Sequence, residues 1–146
     1  MSKERFLPLL RELARCYQSF ETASGRHIRA LGLTPPQFDI IATLGNTPGM
    51  SCGELGEKTL ITKGTLTGVL DRLEARKLLV REVNNADRRS MIVRLTPAGE
   101  ALFDEVFPAH LAYMRAHFAP LDDAALLAMQ TQLQHLRKAF ETVPNL

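Results

Sequence analysis

The sequence predicts an all-α fold carrying one small β-hairpin, an α+β arrangement as a whole. Two observations predict it. Apolar residues recur at three- and four-residue steps through most of the chain. That period lapses between Leu79 and Leu95, where two short β-prone runs flank a segment rich in turn formers. A length of 146 residues suits one ordinary domain, and 45% apolar content suits a globular one.

Taken in order, residues 3–30 form one long helix. Phe6, Leu9, Leu10, Leu13, Cys16, Tyr17 and Phe20 lie along a single stripe, and Gly32 ends it. Thr34-Pro35-Pro36-Gln37 opens the second helix: Thr can cap, Pro suits the first helical position, and Gln completes a capping box. That helix carries Phe38, Ile40, Ile41 and Leu44, and residues 45–49 form a loop. Ser51-Cys52-Gly53-Glu54 is a second capping box and starts a short helix, with Leu55 and the apolar pair Leu60-Ile61 following. Thr62-Lys63-Gly64-Thr65 starts another almost at once, with Leu66, Val69, Leu70 and Leu73 on its buried face.

Leu79 to Val83 and Ser90 to Leu95 are then the strands of a hairpin whose tip is Asn84-Asn85-Ala86-Asp87-Arg88-Arg89. Thr96-Pro97 caps a fifth helix bearing Leu102, Val106, Phe107, Leu111, Met114 and Phe118. Pro120 breaks the chain, and Asp122 caps a last helix with Leu126, Leu127, Leu133, Leu136 and Phe140.

Helix, short turn, helix, hairpin is the order of a winged helix-turn-helix. Its second helix enters the major groove of DNA, and its hairpin reaches the backbone or minor groove. On that reading residues 34–96 are a DNA-binding lobe. Residues 1–31 and 97–146 are a helical dimerisation lobe, all within one domain of residues 1–146. The three outer helices are amphipathic, with too little surrounding chain to bury their stripes. A second copy supplies the missing surface, so Phe6, Leu10, Leu133, Leu136 and Phe140 are the expected dimer contacts.

Charge agrees in its distribution. The net charge is only +2, but Ser51 to Thr96 holds nine Lys and Arg against six Asp and Glu. A local basic tip on a nearly neutral chain suits a sequence-specific binder. Thr62, Lys63, Thr65 and Thr67 cluster on the polar face of the second helix. Their hydroxyls and ammonium suit phosphates and base edges.

Other classes find no support. No phosphate-binding Gly-rich loop, Gly-x-Ser-x-Gly or His-Glu-x-x-His motif occurs, so no enzyme and no cofactor is expected. His27, His110, His117 and His135 are scattered and predict no metal site; surface or satisfied histidines are the simpler reading. Two cysteines, Cys16 and Cys52, make no disulfide framework. Early charges interrupt any signal sequence, and no apolar run reaches the roughly 20 residues of a membrane helix. The expected location is cytoplasmic.

Leu66-Thr67-Gly68-Val69-Leu70-Asp71-Arg72-Leu73-Glu74, Asp87-Arg88-Arg89 and Leu95-Thr96-Pro97-Ala98-Gly99 together resemble the MarR (multiple antibiotic resistance regulator) family of bacterial transcription regulators. The resemblance covers nearly the whole chain. It implies a homodimeric repressor on a palindromic double-stranded operator, with Arg89 in the minor groove and Asp87 holding it or a nearby Arg. Arg88 is then on phosphate, and Arg72 either pairs with Asp87 or touches the backbone. It also implies a small aromatic or lipophilic effector between the two lobes, near Cys16, Phe20, Phe38 and Ile41. One branch of the family senses peroxides through a first-helix cysteine that aligns near Leu10, so Cys16 is expected to be buried and structural. Cys52 starts a helix beside the DNA-reading face, where modification would matter. Lys77 takes the place of the family's usual Gly at the end of the recognition helix. A thiol-based sensor and a regulator-shaped protein-binding module are the alternatives.

Overall fold

The computed structural model describes residues 4–142. Six helices and three strands follow in the order α1 (Leu7–Ala30), α2 (Pro35–Leu44), β1 (Met50–Ser51), α3 (Cys52–Thr59), α4 (Lys63–Ala75), β2 (Leu79–Val83), β3 (Met91–Leu95), α5 (Pro97–Phe118) and α6 (Asp123–Thr142). The chain divides after Leu111 into two compact units.

The helix ends follow the capping chemistry written in the sequence. After α1, Gly32 turns left-handed at φ 85°, and the Leu33 N–H reaches back to the Ile28 carbonyl. Thr34 and Gln37 make both halves of the capping box. Asp122 accepts the Ala125 N–H at the start of α6. Ser51 makes only half of its box: its hydroxyl accepts the Glu54 N–H, while the Glu54 carboxylate turns to Lys58 one turn on. Thr62 stands at the N-cap of α4 but donates to the Thr65 hydroxyl and makes no capping bond. Lys77 is left-handed, at φ 61°, and its N–H bonds the Glu74 carbonyl while that of Leu78 bonds Leu73. A side chain there costs about 1 kcal/mol relative to Gly.

The sheet is antiparallel in the order β1-β3-β2, with Met50 opposite Val93 and Leu79 opposite Leu95. The two-residue β1 lies just after the expected loop of residues 45–49, and it makes the hairpin the larger part of a three-stranded sheet. Below the sheet is one apolar core. Ile40, Ile41 and Leu44 of α2, Leu55 of α3, Leu73 of α4, Leu79 and Val93 are wholly buried in it.

The segment Leu95 to Gly99 ties α5 to this core. The Thr96 hydroxyl donates to the Lys77 carbonyl and accepts the Gly99 N–H, and the Thr96 N–H bonds Leu78. A Cβ on Gly99 would lie 2.0 Å from the Leu78 carbonyl oxygen, so only Gly lets α5 start this close to the end of α4.

Two helices leave apolar faces uncovered. From Glu4 to Thr22 only Leu13 is even half-buried. No residue of α6 is buried, and only Ala125, Thr131 and Leu136 reach half-burial. Cys16 is therefore exposed within one chain, against the expectation of a buried structural thiol. The stripe is present as expected, but Cys16 on it is not buried.

Candidate nucleic-acid interface

The α4 helix is held by one face and open on the other. Leu66, Val69, Leu70 and Leu73 enter the core. Thr62, Lys63, Thr65, Thr67 and Arg72 are all exposed, the first four within its opening turns.

The wing tip is built by its own polar side chains. The Asn84 carbonyl oxygen accepts the Ala86 N–H, and its amide donates to Ser90. The Asp87 carboxylate accepts the Arg89 backbone N–H at 3.0 Å. Asp87 thus fixes the backbone that carries Arg89 and does not pair with its guanidinium. No ion pair joins Arg72 to Asp87 either, because the nearby carboxylates are organised by a different arginine. Arg88 and Arg89 are exposed, and neither forms an ion pair with a described residue.

That other arginine is Arg81, which sequence reasoning took for an ordinary strand residue. From β2 it donates to Asp71 at 2.7 Å and to Glu74 at 3.0 Å, two acids one turn apart on α4. Its hydrogen bonds hold the Glu74 carboxyl below the usual range. The arginine locks the base of the wing to the recognition helix. It also offsets the negative charge of both carboxylates. Glu82 and Arg94 pair across the hairpin in the same manner.

A second polar cluster lies where α1, α2 and α5 meet. Nδ1 of His27 and Nδ1 of His110 are 2.8 Å apart, so one ring donates and the other accepts. The rings are stacked, Nε2 of His110 lies 3.2 Å from the Ser24 hydroxyl, and Phe38 meets His110 edge-on. Of the four residues expected at an effector site, only Phe38 borders this cluster. Ile41 is wholly buried in the core, and Cys16 and Phe20 are exposed. The pairing of His27 with His110 had no sequence signal, because 83 residues separate them.

Burial, and then the proximity of His27, push the His110 imidazole below its ordinary value. The unfolded chain binds a proton there that the folded chain refuses, so stability falls as pH drops below about 6.5. Asp39, pushed up by burial, acts in the opposite sense in the carboxylate range. The melting temperature is expected to fall between pH 7.5 and 5.5, and less so in His110→Gln. Equal slopes for the two proteins would discard the role given to His110.

Comparison with known proteins agrees with this geometry. A MarR family sequence model matches residues 31–90. The HTH-type transcriptional regulator MhqR of Bacillus subtilis is 33% identical over 109 residues, 75% of each chain. The chain belongs to the MarR family. This MarR protein is accordingly a DNA-binding transcriptional regulator of winged helix-turn-helix fold. Bordetella bronchiseptica BpsR, whose DNA binding is regulated by 6-hydroxynicotinic acid, is 32% identical with a TM-score of 0.77. That alignment covers 89% of this chain and 98% of BpsR. AbsC, a MarR family regulator of Streptomyces coelicolor, shares the fold at a TM-score of 0.85 with 23% identity, over 98% and 99% of the two chains. Among the described residues no helix is long and apolar enough to cross a membrane.

Proposed function

We propose that this chain is a cytoplasmic, homodimeric repressor that reads a palindromic operator and releases it on binding a small aromatic effector. Residues 34–96 are the reading lobe. Thr62, Lys63, Thr65 and Thr67 meet base edges and phosphates in the major groove, and Arg72 meets the backbone. Arg88 binds phosphate, and Arg89 enters the minor groove on a tip set by Asp87. The observation that carries this reading is the wing: two exposed arginines without an acidic partner among the described residues, on a turn tied down by Asn84, Asp87 and Ser90. A cation held ready without an internal partner suits the negative potential of a narrow minor groove.

The partner chain covers Phe6, Leu10, Leu133, Leu136 and Phe140. The effector site is the meeting of α1, α2 and α5 beside Phe38. There the His27–His110 pair can hold an acidic group of the ligand and Phe38 can stack on its ring. Regulation of BpsR by a hydroxylated aromatic acid supports that class of ligand.

Arg89→Ala is expected to weaken operator binding at least tenfold, about 1.4 kcal/mol, with melting unchanged. Arg88→Ala should weaken all sequences alike and lower the salt slope by about one unit. Equal binding by Arg89→Ala in a gel-shift titration would remove Arg89 from the minor groove. In the same titration 6-hydroxynicotinic acid, as a probe, should release DNA from the natural protein and not from His110→Ala. Release from both would exclude the histidine pair as the anchor.

A further inference from the structure

Leu60 joins α3 to α4. At 89% exposure it is the most exposed large apolar side chain among the described residues. Its backbone is left-handed, with φ 61° and ψ 14°. Both properties work against the free chain. A left-handed residue is least costly as Gly or Asn, and an isobutyl group in water gains nothing from burial. The turn itself does not call on this side chain. Thr59 fixes the turn, donating its hydroxyl proton to the Leu55 carbonyl and accepting the Ile61 N–H.

Leu60 lies beside the start of the recognition helix. It precedes the N-cap Thr62 by two residues, so their Cα atoms are at most about 7 Å apart. The exposed row of Thr62, Lys63 and Thr65 continues from it. Lys63 ends in an ammonium, and Thr62 and Thr65 pair each methyl with a hydroxyl, so Leu60 is the wholly apolar member of the row. The major groove offers one apolar feature on its base edges, the 5-methyl group of thymine.

We propose that Leu60 is a specificity-determining residue that takes a thymine methyl at the edge of each half-site. The proposal rests on the reading that the start of α4 enters the major groove. It accounts for the exposure and the backbone together: the left-handed turn aims an apolar side chain away from its own protein, and DNA supplies the cover.

The test uses a duplex selected by the full-length natural protein from a randomised pool, and an unrelated duplex of equal length. Leu60→Asn suits a left-handed backbone and should melt no lower than the natural protein. It should bind the selected duplex roughly fivefold or more weakly and the unrelated duplex equally well. Deoxyuridine in place of one thymine per half-site should cost the natural protein about three- to fivefold per half-site, the worth of one methyl group. It should cost Leu60→Asn nothing further, while Leu60→Met should retain the penalty.

Lys63→Ala and Arg89→Ala are measured in parallel. If both bind as the natural protein does, the groove reading itself fails. If they weaken binding but Leu60→Asn does not, the proposal about Leu60 is overturned alone. Equal weakening on both duplexes, or a deoxyuridine penalty that persists in Leu60→Asn, would also overturn it.

Discussion

Removing the chain from Asp122 onward is expected to leave aggregate or unfolded protein and no stable folded monomer. The expectation follows from an imbalance. The helix α6 buries none of its residues, although Leu127, Leu133 and Phe140 are large and more than half exposed. The N-terminal half of α1 and its N-cap repeat the pattern with Phe6, Leu9 and Phe20. Each such side chain is worth about 1.5–3 kcal/mol when fully buried, and several together rival the roughly 5–15 kcal/mol that stabilises a whole domain. A second chain is the natural source of that cover. Were α6 a mere appendage, its loss would leave the core around Ile40, Leu55 and Val93 untouched and the remainder folded and monomeric. Light scattering after gel filtration at micromolar concentration separates these outcomes. A folded monomer from the truncated chain, or a monomeric mass for the full one, would refute the dimer assigned to Phe6, Leu10, Leu133, Leu136 and Phe140. On the dimer reading folding and association are coupled, so stability should also rise with protein concentration.

Local physics made most of this fold legible. The capping residues Thr34, Ser51, Thr96 and Asp122 stand where their helices begin, and the apolar steps on α4 mark the face that enters the core. The departure at Lys77 is visible in the sequence as a Lys where the family has Gly, and the structure shows that position to be left-handed. What stayed hidden depends on distant parts of the chain. A two-residue strand such as β1 is too short to show a period, and it exists only because β3 lies alongside. Arg81 looks like any charged strand residue until α4 folds back and sets Asp71 and Glu74 against it. His27 and His110 are brought together by α1 and α5, not by spacing. Cys16, expected buried, is exposed for a related reason. Period tells that a face is apolar, but it does not tell which chain covers it.

Inserting five base pairs at the centre of the natural operator is expected to weaken binding at least about thirtyfold. A two-fold dimer carries two identical copies of α4, and B-DNA presents equivalent major-groove faces once per turn, so half-site centres should lie about 10 base pairs apart. The helix has 13 residues, about 20 Å at 1.5 Å per residue. Leu66, Val69, Leu70 and Leu73 anchor it in the core, which leaves its opening turns, with Thr62, Lys63, Thr65 and Thr67, to reach the bases. On the proposed reading, readout is confined to a few base pairs per half-site, flanked by A·T-rich steps where each Arg89 should enter the minor groove. The insertion turns the second half-site to the opposite face of the duplex and moves it about 17 Å along the axis at 3.4 Å per step. One recognition helix and one wing then lose their specific contacts. Specific binding exceeds non-specific by about 4–10 kcal/mol in such complexes, and half of that range corresponds to about thirtyfold or more. Ten inserted base pairs restore the face but not the distance, so they should not restore affinity to a dimer of fixed spacing. Undiminished binding after the five-pair insertion would rule out a rigid two-fold reader. It would also rule out release by an effector that acts through the spacing of the two recognition helices.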